Sequence, residues 1–190
     1  MRWKTLRVIS GIRKGQRLKS PKGTNIRPTE DRIKESVFNI LGVIDEGAIV
    51  LDGFGGTGSI GIEFLSRGAE FCYFIDNSTD SIRLIYENLT RTKFLDRSKV
   101  IKKDFLTAIK HLKVEGVSFN YIYLDPPFRQ DGYIDKLLHS ISKEAILDDD
   151  GLIIIEHESE LSTEDEVYNF IKVDSRKYGT KTITFYKKSR

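Results

Sequence analysis

The stretch Ile49-Val50-Leu51-Asp52-Gly53-Phe54-Gly55-Gly56-Thr57-Gly58-Ser59-Ile60-Gly61 decides the fold. Its first three residues form a short apolar run, which is typical of a strand covered on both faces. The glycines that follow allow the backbone to approach a ligand closely and to adopt positive φ angles. Apolar residues then recur at helical spacing as far as Leu65, which leaves Glu63 and Arg67 for solvent. The stretch therefore predicts a buried strand, a glycine-rich turn and the start of a helix.

Two kinds of ligand fit this turn. The spacing Gly56-x-Gly58-x-x-Gly61 matches the dinucleotide fingerprint, in which a pyrophosphate lies at a helix N-terminus. Asp52, however, ends the strand four residues before Gly56, and a carboxylate there repels an anion but attracts a cation. S-adenosylmethionine carries an amino group and a sulfonium and has no phosphate. The acidic residue therefore favours S-adenosylmethionine over a nicotinamide cofactor, while a tight turn without a ligand is a third interpretation.

The composition is that of one α/β domain. The chain has 190 residues, of which 39% are hydrophobic and 31% charged, enough for a substantial core. No apolar run approaches the ~20 residues of a membrane helix, and the N-terminus lacks the apolar region of a secretory signal. Cys72 is the only cysteine, so no disulfide can form within the chain. We expect a cytoplasmic monomer with no membrane partner and, because the histidines are scattered, no metal.

The net charge of +3 is unevenly distributed. Residues 1–34 carry an excess of nine positive charges, and the remainder an excess of six negative ones. Alternation over Leu6–Ser10 and again over Lys14–Lys19 predicts a small basic β-hairpin. Such a surface is typical of nucleic-acid binding, and a solvated charged arm is the alternative. The cations expected to contact RNA are Arg7, Arg13, Lys14, Arg17, Lys19 and Arg32.

Acidic residues end two further predicted strands. Asp76 follows the apolar run from Phe71 and lies 20 residues after Gly56, where an acid binds the ribose of either cofactor. Asp104 follows a third strand and can accept a hydrogen bond from an adenine amino group, while Phe105 can flank the ring. An ordinary role in a turn is the alternative for each acid. Because ligands bind at the carboxyl ends of strands in open α/β sheets, we expect these residues to share one site.

The fourth predicted strand runs from Tyr121 and stops at Asp125, because the two prolines that follow supply no N–H group. The Asp125 carboxylate and the Pro126 carbonyl are left as hydrogen-bond acceptors. Phe128 offers a flat face beside them. Two acceptors and an aromatic ring suit a flat base that carries an amino group.

The rest of the chain alternates helices with strands. A helix begins after Pro28, with Thr29 as its expected N-cap. An acidic turn over residues 148–150 precedes a fifth strand, Gly151–Glu156. Val167–Val173 and Thr180–Tyr186 are expected to form a closing antiparallel pair. The pattern predicts a doubly wound α/β fold with a mostly parallel, seven-stranded sheet. The domains expected are a basic β-hairpin extension, residues 1–26, and a main domain, residues 27–190.

Five motifs stand out between residues 7 and 128: Arg7-Val8-Ile9-Ser10-Gly11, Gly15-x-x-Leu18, Arg27-Pro28-Thr29-x-Asp31-Arg32-x-Lys34-Glu35-x-x-Phe38-Asn39, Gly61-Ile62-Glu63-x-Leu65-Ser66-Arg67-Gly68-Ala69 and Asp125-Pro126-Pro127-Phe128. Together they resemble the class I S-adenosylmethionine-dependent methyltransferases, and within them the RsmD family. The resemblance implies a Rossmann-like fold and methylation of the guanine amino group N2 in small-subunit (16S) ribosomal RNA. The family usually has Ala and Ser where this chain has Gly55 and Thr57. All four residues are small, so we expect the turn to form.

The resemblance also assigns roles to residues. It implies that S-adenosylmethionine is the cofactor and that the partner is ribosomal RNA, within a small-subunit ribonucleoprotein particle. The residues expected to bind the cofactor are Arg27, Thr29, Asp52, Phe54, Gly56, Gly58, Asp76, Asn77, Asp104 and Phe105. The residues expected to form the catalytic, target-base site are Asp125, Pro126, Pro127 and Phe128.

Other functions remain open at this point. The acceptor pair at Asp125 and Pro126 serves any exocyclic amine, so methylation of an adenine in DNA or RNA is an alternative. A nicotinamide-dependent oxidoreductase fits the glycine spacing but not Asp52 or the two prolines. A non-catalytic RNA-binding module would use residues 1–34 alone and would leave the glycine-rich turn without a role.

Overall fold

The structure is a computed structural model that describes residues 6–21, 28–127 and 132–189, with only the backbone of residues 28–31. Its helices are α1 (Pro28–Leu41), α2 (Ser59–Ser66), α3 (Thr79–Thr92), α4 (Phe105–Val114) and α5 (Tyr133–Glu144), with short 3-10 turns at Gly11–Arg13 and Leu95–Arg97. Its strands are β1 (Ile49–Asp52), β2 (Phe71–Asp76), β3 (Ser98–Lys102), β4 (Phe119–Leu124), β5 (Leu147–Glu158), β6 (Glu166–Val167), β7 (Phe170–Tyr178) and β8 (Lys181–Lys188).

The strands of the described residues form one sheet in the order β3-β2-β1-β4-β5-β8-β7-β6. The first five are parallel, and the last four pair antiparallel. The predicted α/β architecture is confirmed, but the prediction of seven mostly parallel strands was wrong. Tyr168, with φ of 55°, turns the chain so that the two-residue strand β6 folds back on β7 and adds an eighth strand. No glycine marks this turn in the sequence.

Two hydrophobic layers enclose the sheet because neighbouring strand residues point to opposite faces. Val50 packs in one layer with residues of α1, α2 and α3. Leu51 packs in the other with residues of α4 and α5. Both strand residues are fully buried, which explains why β1 consists of apolar residues up to its terminal Asp52. The doubly wound arrangement places the carboxyl ends of the parallel strands at one edge.

Some predicted boundaries were wrong. β5 begins at Leu147 and includes residues 148–150, which were predicted to form a turn. Asp148 accepts a hydrogen bond from the Asn120 amide at 2.9 Å, and Lys188 forms an ion pair with Asp149 at 2.8 Å. Neighbouring strands thus provide the partners that allow acidic residues in this strand. Helix α1 already includes Pro28, which suits the first helical position, so Thr29 lies inside its first turn and is not its N-cap.

The described part of the predicted basic hairpin, residues 6–21, is named here the N-terminal arm. Arg7 and Arg17 form a single antiparallel bridge, and the 3-10 turn at Gly11–Arg13 closes the loop between them. The side chains of Leu6, Val8 and Leu18 are buried in the layer that contains α1, α2 and α3. The arm is therefore anchored by the main hydrophobic core.

Glu63 of α2 connects the N-terminal arm to the rest of the fold. Its side chain is fully buried, and its carboxylate accepts hydrogen bonds from the backbone N–H groups of Ile9 at 2.8 Å and Ser10 at 2.9 Å. It also forms ion pairs with Arg67 at 2.8 Å and with buried Lys34 at 3.4 Å. The prediction that Glu63 and Arg67 face solvent was wrong, because the arm covers this side of α2.

We expect Gly11→Ala to destabilise the protein more than Gly15→Ala. Both glycines have positive φ, 79° and 81°, so an alanine is strained at either position. A Cβ at Gly11 would lie 1.8 Å from the Ser66 carbonyl oxygen, whereas nothing lies within 4 Å of one at Gly15. Urea unfolding should show an additional loss of about 1–3 kcal/mol for Gly11→Ala. Equal losses would mean that the arm does not dock tightly on α2.

Candidate active site

A cleft of about 540 Å³ opens at the carboxyl edge of the parallel strands. It reaches from the loops after β2 and β3 to the loop after β4 and the start of β8. The residues that line it are Gly53, Phe54, Gly56, Ile75, Asp76, Asn77, Ser78, Ser81, Lys103, Asp104, Phe105, Asp125, Pro126, Pro127, Tyr133, Ile134, His157, Glu158, Leu161 and Lys181. The structure thus joins the glycine-rich turn and the Asp125 loop in one cavity, as the sequence predicted for the edge of an α/β sheet.

Three backbone N–H groups of the glycine-rich turn, those of Gly53, Gly55 and Gly56, donate hydrogen bonds within the protein. Gly53 donates to the Tyr123 carbonyl at 2.9 Å and Gly55 to the Ile75 carbonyl at 2.8 Å. Gly56, which has φ of 53°, donates to the Asp76 carboxylate at 2.9 Å. A dinucleotide pyrophosphate would need such N–H groups as its own donors. These three groups are therefore not available to a phosphate.

Asp52, which ends β1, and Gly58, the N-cap of α2, are buried and are not among the residues that line the cleft. The Asp52 side chain is 2% exposed, and its carboxylate accepts a hydrogen bond from Gly61 N–H at 3.0 Å. Burial raises the pKa of Asp52 to about 7; the Gly61 hydrogen bond lowers it, and the charge of Asp76 adds to the rise. In the described structure Asp52 holds the start of α2 against β1. Its expected contact with the cofactor stays a prediction.

The raised pKa of Asp52 predicts a pH dependence of stability. Folding moves this pKa from 3.8 to about 7, so the folded state binds the proton more tightly. The stability that this proton binding contributes is complete below pH 4 and is lost as the pH rises towards 7. The loss is about 1.4 kcal/mol for each unit of the pKa shift. Urea unfolding of wild type and Asp52→Asn at pH 5 and pH 8 measures this. We expect the variant to gain stability relative to wild type at pH 8; a difference that is the same at both pH values would contradict the shift.

The acidic residues after β2 and β3 are held in place by backbone groups. The Asp76 carboxylate accepts hydrogen bonds from Gly56 N–H at 2.9 Å and Ser78 N–H at 2.8 Å. Asp104 is the N-cap of α4 and accepts from Thr107 N–H at 3.0 Å. Hydrogen bonds from the side chain and backbone of Thr107 lower the pKa of Asp104. Both carboxylates face the cleft, where they can accept hydrogen bonds from ribose hydroxyls and an adenine amino group.

Aromatic rings form the wall beside these acids. Phe54 stacks on Phe105 with ring centres 5.5 Å apart and an interplanar angle of 17°. Tyr133 meets Phe54 edge-on at 6.5 Å. Phe105 is only 3% exposed, so Phe54 and Tyr133 offer more of the ring surface in the cleft. Sequence reasoning missed Tyr133, which lies in the first turn of α5 without any motif around it.

Asp125, Pro126 and Pro127 line the other end of the cleft. The Asp125 side chain is 46% exposed, and Lys181 at the start of β8 lies 3.8 Å from its Oδ1. Sequence reasoning also missed Lys181, His157 and Glu158. No local pattern marks them. His157 and Glu158 end β5, which pairs with β4, and Lys181 reaches Asp125 because β8 pairs antiparallel with the end of β5.

Several expected contacts are not covered by the structure. Phe128 and Arg27 lie outside the described residues, and so does the side chain of Thr29. Among the residues that are described, no group of three or more His, Cys, Asp or Glu side chains is arranged to hold a metal ion. No helix in the same part of the chain is long and apolar enough to cross a membrane.

The cations expected to bind RNA differ in their surroundings. Arg7, Lys14, Arg17 and Arg32 are exposed. Arg13 instead donates to the Thr92 carbonyl at 2.7 Å and lies 5.7 Å from the Phe94 ring centre, while Lys19 forms an ion pair with Glu87 at 2.6 Å. Arg13 and Lys19 therefore also contact α3.

Asn88 of α3 places the arm next to the glycine-rich turn. Its side-chain amide donates to the backbone carbonyls of Lys19 at 3.0 Å and Thr57 at 2.8 Å, and its oxygen accepts from Lys19 N–H at 2.7 Å. One buried side chain therefore fixes both segments.

Comparisons with known proteins agree with this architecture. Residues 6–187 match a sequence family described as conserved hypothetical protein 95. Over 155 residues the chain is 32% identical to the ribosomal RNA small subunit methyltransferase D of Escherichia coli strain K12, covering 82% of this chain and 76% of that protein. The chain belongs to the RsmD family of methyltransferases. The family resemblance seen in the motifs is thereby confirmed.

Two further relatives cover the RsmD-family chain almost completely. It is 36% identical over 183 residues to the Bacillus subtilis protein named "Putative rRNA methyltransferase YlbH", covering 96% of this chain and 99% of that protein. A solved structure described as "Putative methyltransferase yhhF" from Escherichia coli superimposes with a TM-score of 0.85 at 26% identity, covering 98% of this chain and 99% of the other. The α/β methyltransferase fold extends over the arm as well as the sheet.

Proposed function

We propose that this protein transfers a methyl group from S-adenosylmethionine to the exocyclic amino group N2 of a guanine in small-subunit ribosomal RNA. One observation carries the proposal: a single cleft connects the glycine-rich turn, Asp76 and Asp104 with Asp125, Pro126 and Pro127. A methyl donor and a base amine bound at its two ends would meet between them. Membership of the RsmD family supports ribosomal RNA as the substrate.

S-adenosylmethionine is the cofactor, and when bound it supplies an electrophilic methyl group on a sulfonium. The residues of the cleft fit it. Asp76 would accept hydrogen bonds from the ribose hydroxyls and Asp104 one from the adenine amino group. Phe105 was expected to flank the ring, but Phe54 exposes more of its ring in the cleft and would lie beside the adenine. The N–H groups of Gly53, Gly55 and Gly56 are bonded within the protein and not offered to a phosphate, which argues against a nicotinamide dinucleotide.

The Asp125 loop prepares the amine for reaction. The lone pair of an exocyclic amine is delocalised into the base, so the amine is a poor nucleophile. The Asp125 carboxylate and the Pro126 carbonyl each accept one amino hydrogen, which directs the nitrogen lone pair towards the methyl group. In the reaction a C–N bond forms as the C–S bond breaks, and one amine proton passes to Asp125 or to water. Alignment of this kind lowers a barrier by up to ~7–11 kcal/mol in ideal cases.

The exposed cations of the arm supply affinity for the RNA backbone. Arg7, Lys14 and Arg17 are free of the contacts that hold Arg13 and Lys19 on α3. Phosphate contacts of this type position RNA without reading its sequence. The target base must leave its stack to enter the cleft, at a cost of about a few kcal/mol in a duplex and less in a loop. We propose that the assembled small-subunit particle presents that base.

The test is methyl transfer from tritiated S-adenosylmethionine to small-subunit ribosomal RNA, offered both naked and as assembled subunits from cells that lack this protein. Digestion to nucleosides identifies the product. We expect N2-methylguanosine. Label in N6-methyladenosine would favour the adenine alternative, and no label in either RNA preparation would refute the proposal.

A further inference from the structure

Lys181 holds a fixed position on the base side of the cleft. Its Nζ lies 3.8 Å from Asp125 Oδ1 and 3.5 Å from a carboxylate oxygen of both Glu156 and Glu158. Tyr123 is buried and donates a hydrogen bond to the other oxygen of Glu156 at 3.0 Å. Glu156, whose carboxylate is itself held by Tyr123, thus helps to hold the Lys181 ammonium beside Asp125.

We propose that Lys181 donates a hydrogen bond to O6 of the target guanine and so makes the site specific for guanine over adenine. This inference rests on the proposed function. Along its Watson–Crick edge, guanine presents the N2 amino donor, the N1–H donor and the O6 acceptor in that order. The proposed reaction uses the Pro126 carbonyl and the Asp125 carboxylate as acceptors, and the Lys181 ammonium, 3.8 Å from Asp125 Oδ1, adds a donor. The two patterns are complementary.

The chemistry of Asp125 makes this match specific. One carboxylate oxygen can accept from the N2 amine and the other from N1–H, as in a bidentate pair. In the proposed pose Oδ1 accepts from N1–H. O6, which is bonded to the carbon next to N1, then comes to the side of Oδ1, where Lys181 lies. Adenine presents its amine next to N1, which is an acceptor and faces the carboxylate unfavourably. It also has no oxygen to accept from Lys181.

The surroundings of Lys181 keep it positively charged. Partial burial lowers the pKa of Lys181, but the charges of Asp125, Glu156 and Glu158 raise it by more, so the net shift is upward. His157, which also faces the cleft, is 5% exposed, and burial lowers its pKa. Its ring nitrogens bond the Glu158 carbonyl at 2.9 Å and the Thr184 hydroxyl at 2.8 Å. His157 is therefore occupied by the protein, and Lys181 is the cation that the base meets at Asp125.

The experiment replaces the guanosine found to be methylated with 6-thioguanosine in the same ribosomal RNA. Sulfur takes the place of O6, while N1–H and the N2 amine are kept. Wild type should show a kcat/KM about tenfold lower on the thio substrate, as expected for weakening one hydrogen bond to a charged donor. Lys181→Met should be slow on both substrates and lose this preference. Lys187→Met changes an exposed lysine at the far end of the same strand and should keep the preference of wild type.

The preference is a ratio, so a general loss of activity in Lys181→Met does not mimic the result. Thermal unfolding of the variant confirms that it is folded. If folded Lys181→Met keeps the preference for guanosine and wild type methylates guanosine, the role of Lys181 is overturned while the proposed function stands. Absence of any guanine methylation by wild type would overturn the proposed function and this inference with it.

Discussion

Replacing Asp125 by Ala is expected to lower methyl transfer at least about 100-fold and to leave S-adenosylmethionine binding unchanged. Asp125 follows β4, whereas Asp76 ends β2 and Asp104 follows β3, on the other side of β1. The variant therefore loses the group that orients the amine but keeps those proposed to hold the cofactor. Because the Asp125 side chain is 46% exposed, its removal should have little effect on folding.

Single-turnover kinetics and calorimetric titration with S-adenosylmethionine measure the two effects separately. Asp150→Ala, which removes an exposed aspartate at the opposite end of β5, serves as the control with normal turnover. Asp125→Asn keeps one acceptor oxygen and should retain part of the activity. Turnover like that of wild type in Asp125→Ala would refute the role of this carboxylate.

Replacing Glu63 by Ala is expected to lower the free energy of unfolding by about 3–5 kcal/mol, the usual loss when one partner of a buried ion pair is removed. The carboxylate of Glu63 is fully buried with Lys34, whose side chain is 4% exposed. It also accepts hydrogen bonds from the backbone N–H groups of Ile9 and Ser10. The variant removes the Glu63 carboxylate from the buried Lys34 ammonium and leaves two N–H groups of the arm without their acceptor.

Urea unfolding measures this loss, and Glu87→Ala provides a matched control. Glu87 also pairs with a lysine of the arm, Lys19, but both side chains are exposed, so solvent screens the pair and its removal should cost little. Glu63→Gln keeps the volume of the side chain and should fall between the two. If Glu63→Ala and Glu87→Ala are equally stable, the contacts of buried Glu63 do not anchor the arm.

Local patterns were sufficient for much of the fold. The strand from Ile49 to Asp52, the turn after it and helix α2 were predicted correctly because apolar periodicity and glycine content act over neighbouring residues. The same holds for β2 and for β4 up to Asp125. The eighth strand was missed, because the turn at Tyr168 uses a non-glycine residue in the left-handed region.

The candidate site was predicted only in part, because some of its features depend on contacts between residues far apart in the sequence. Asp76, Asp104 and Asp125 each end or follow a parallel strand, so their common edge could be inferred from order along the chain. The burial of Asp52 and Glu63 could not, since it depends on what covers them. The contacts of Glu63 with the arm, for example, join residues more than 50 positions apart.

By itself, the sequence determined the alternation of strands and helices, the glycine-rich turn and the acids at the strand ends, because each depends on a few adjacent residues. Only the tertiary structure decided that Asp52 is buried, that the arm buries Glu63, and that Lys181 stands beside Asp125. Those outcomes follow from which surfaces pack together. The antiparallel entry of β8 next to β5 brings a lysine with no motif of its own to the carboxyl edge of the sheet.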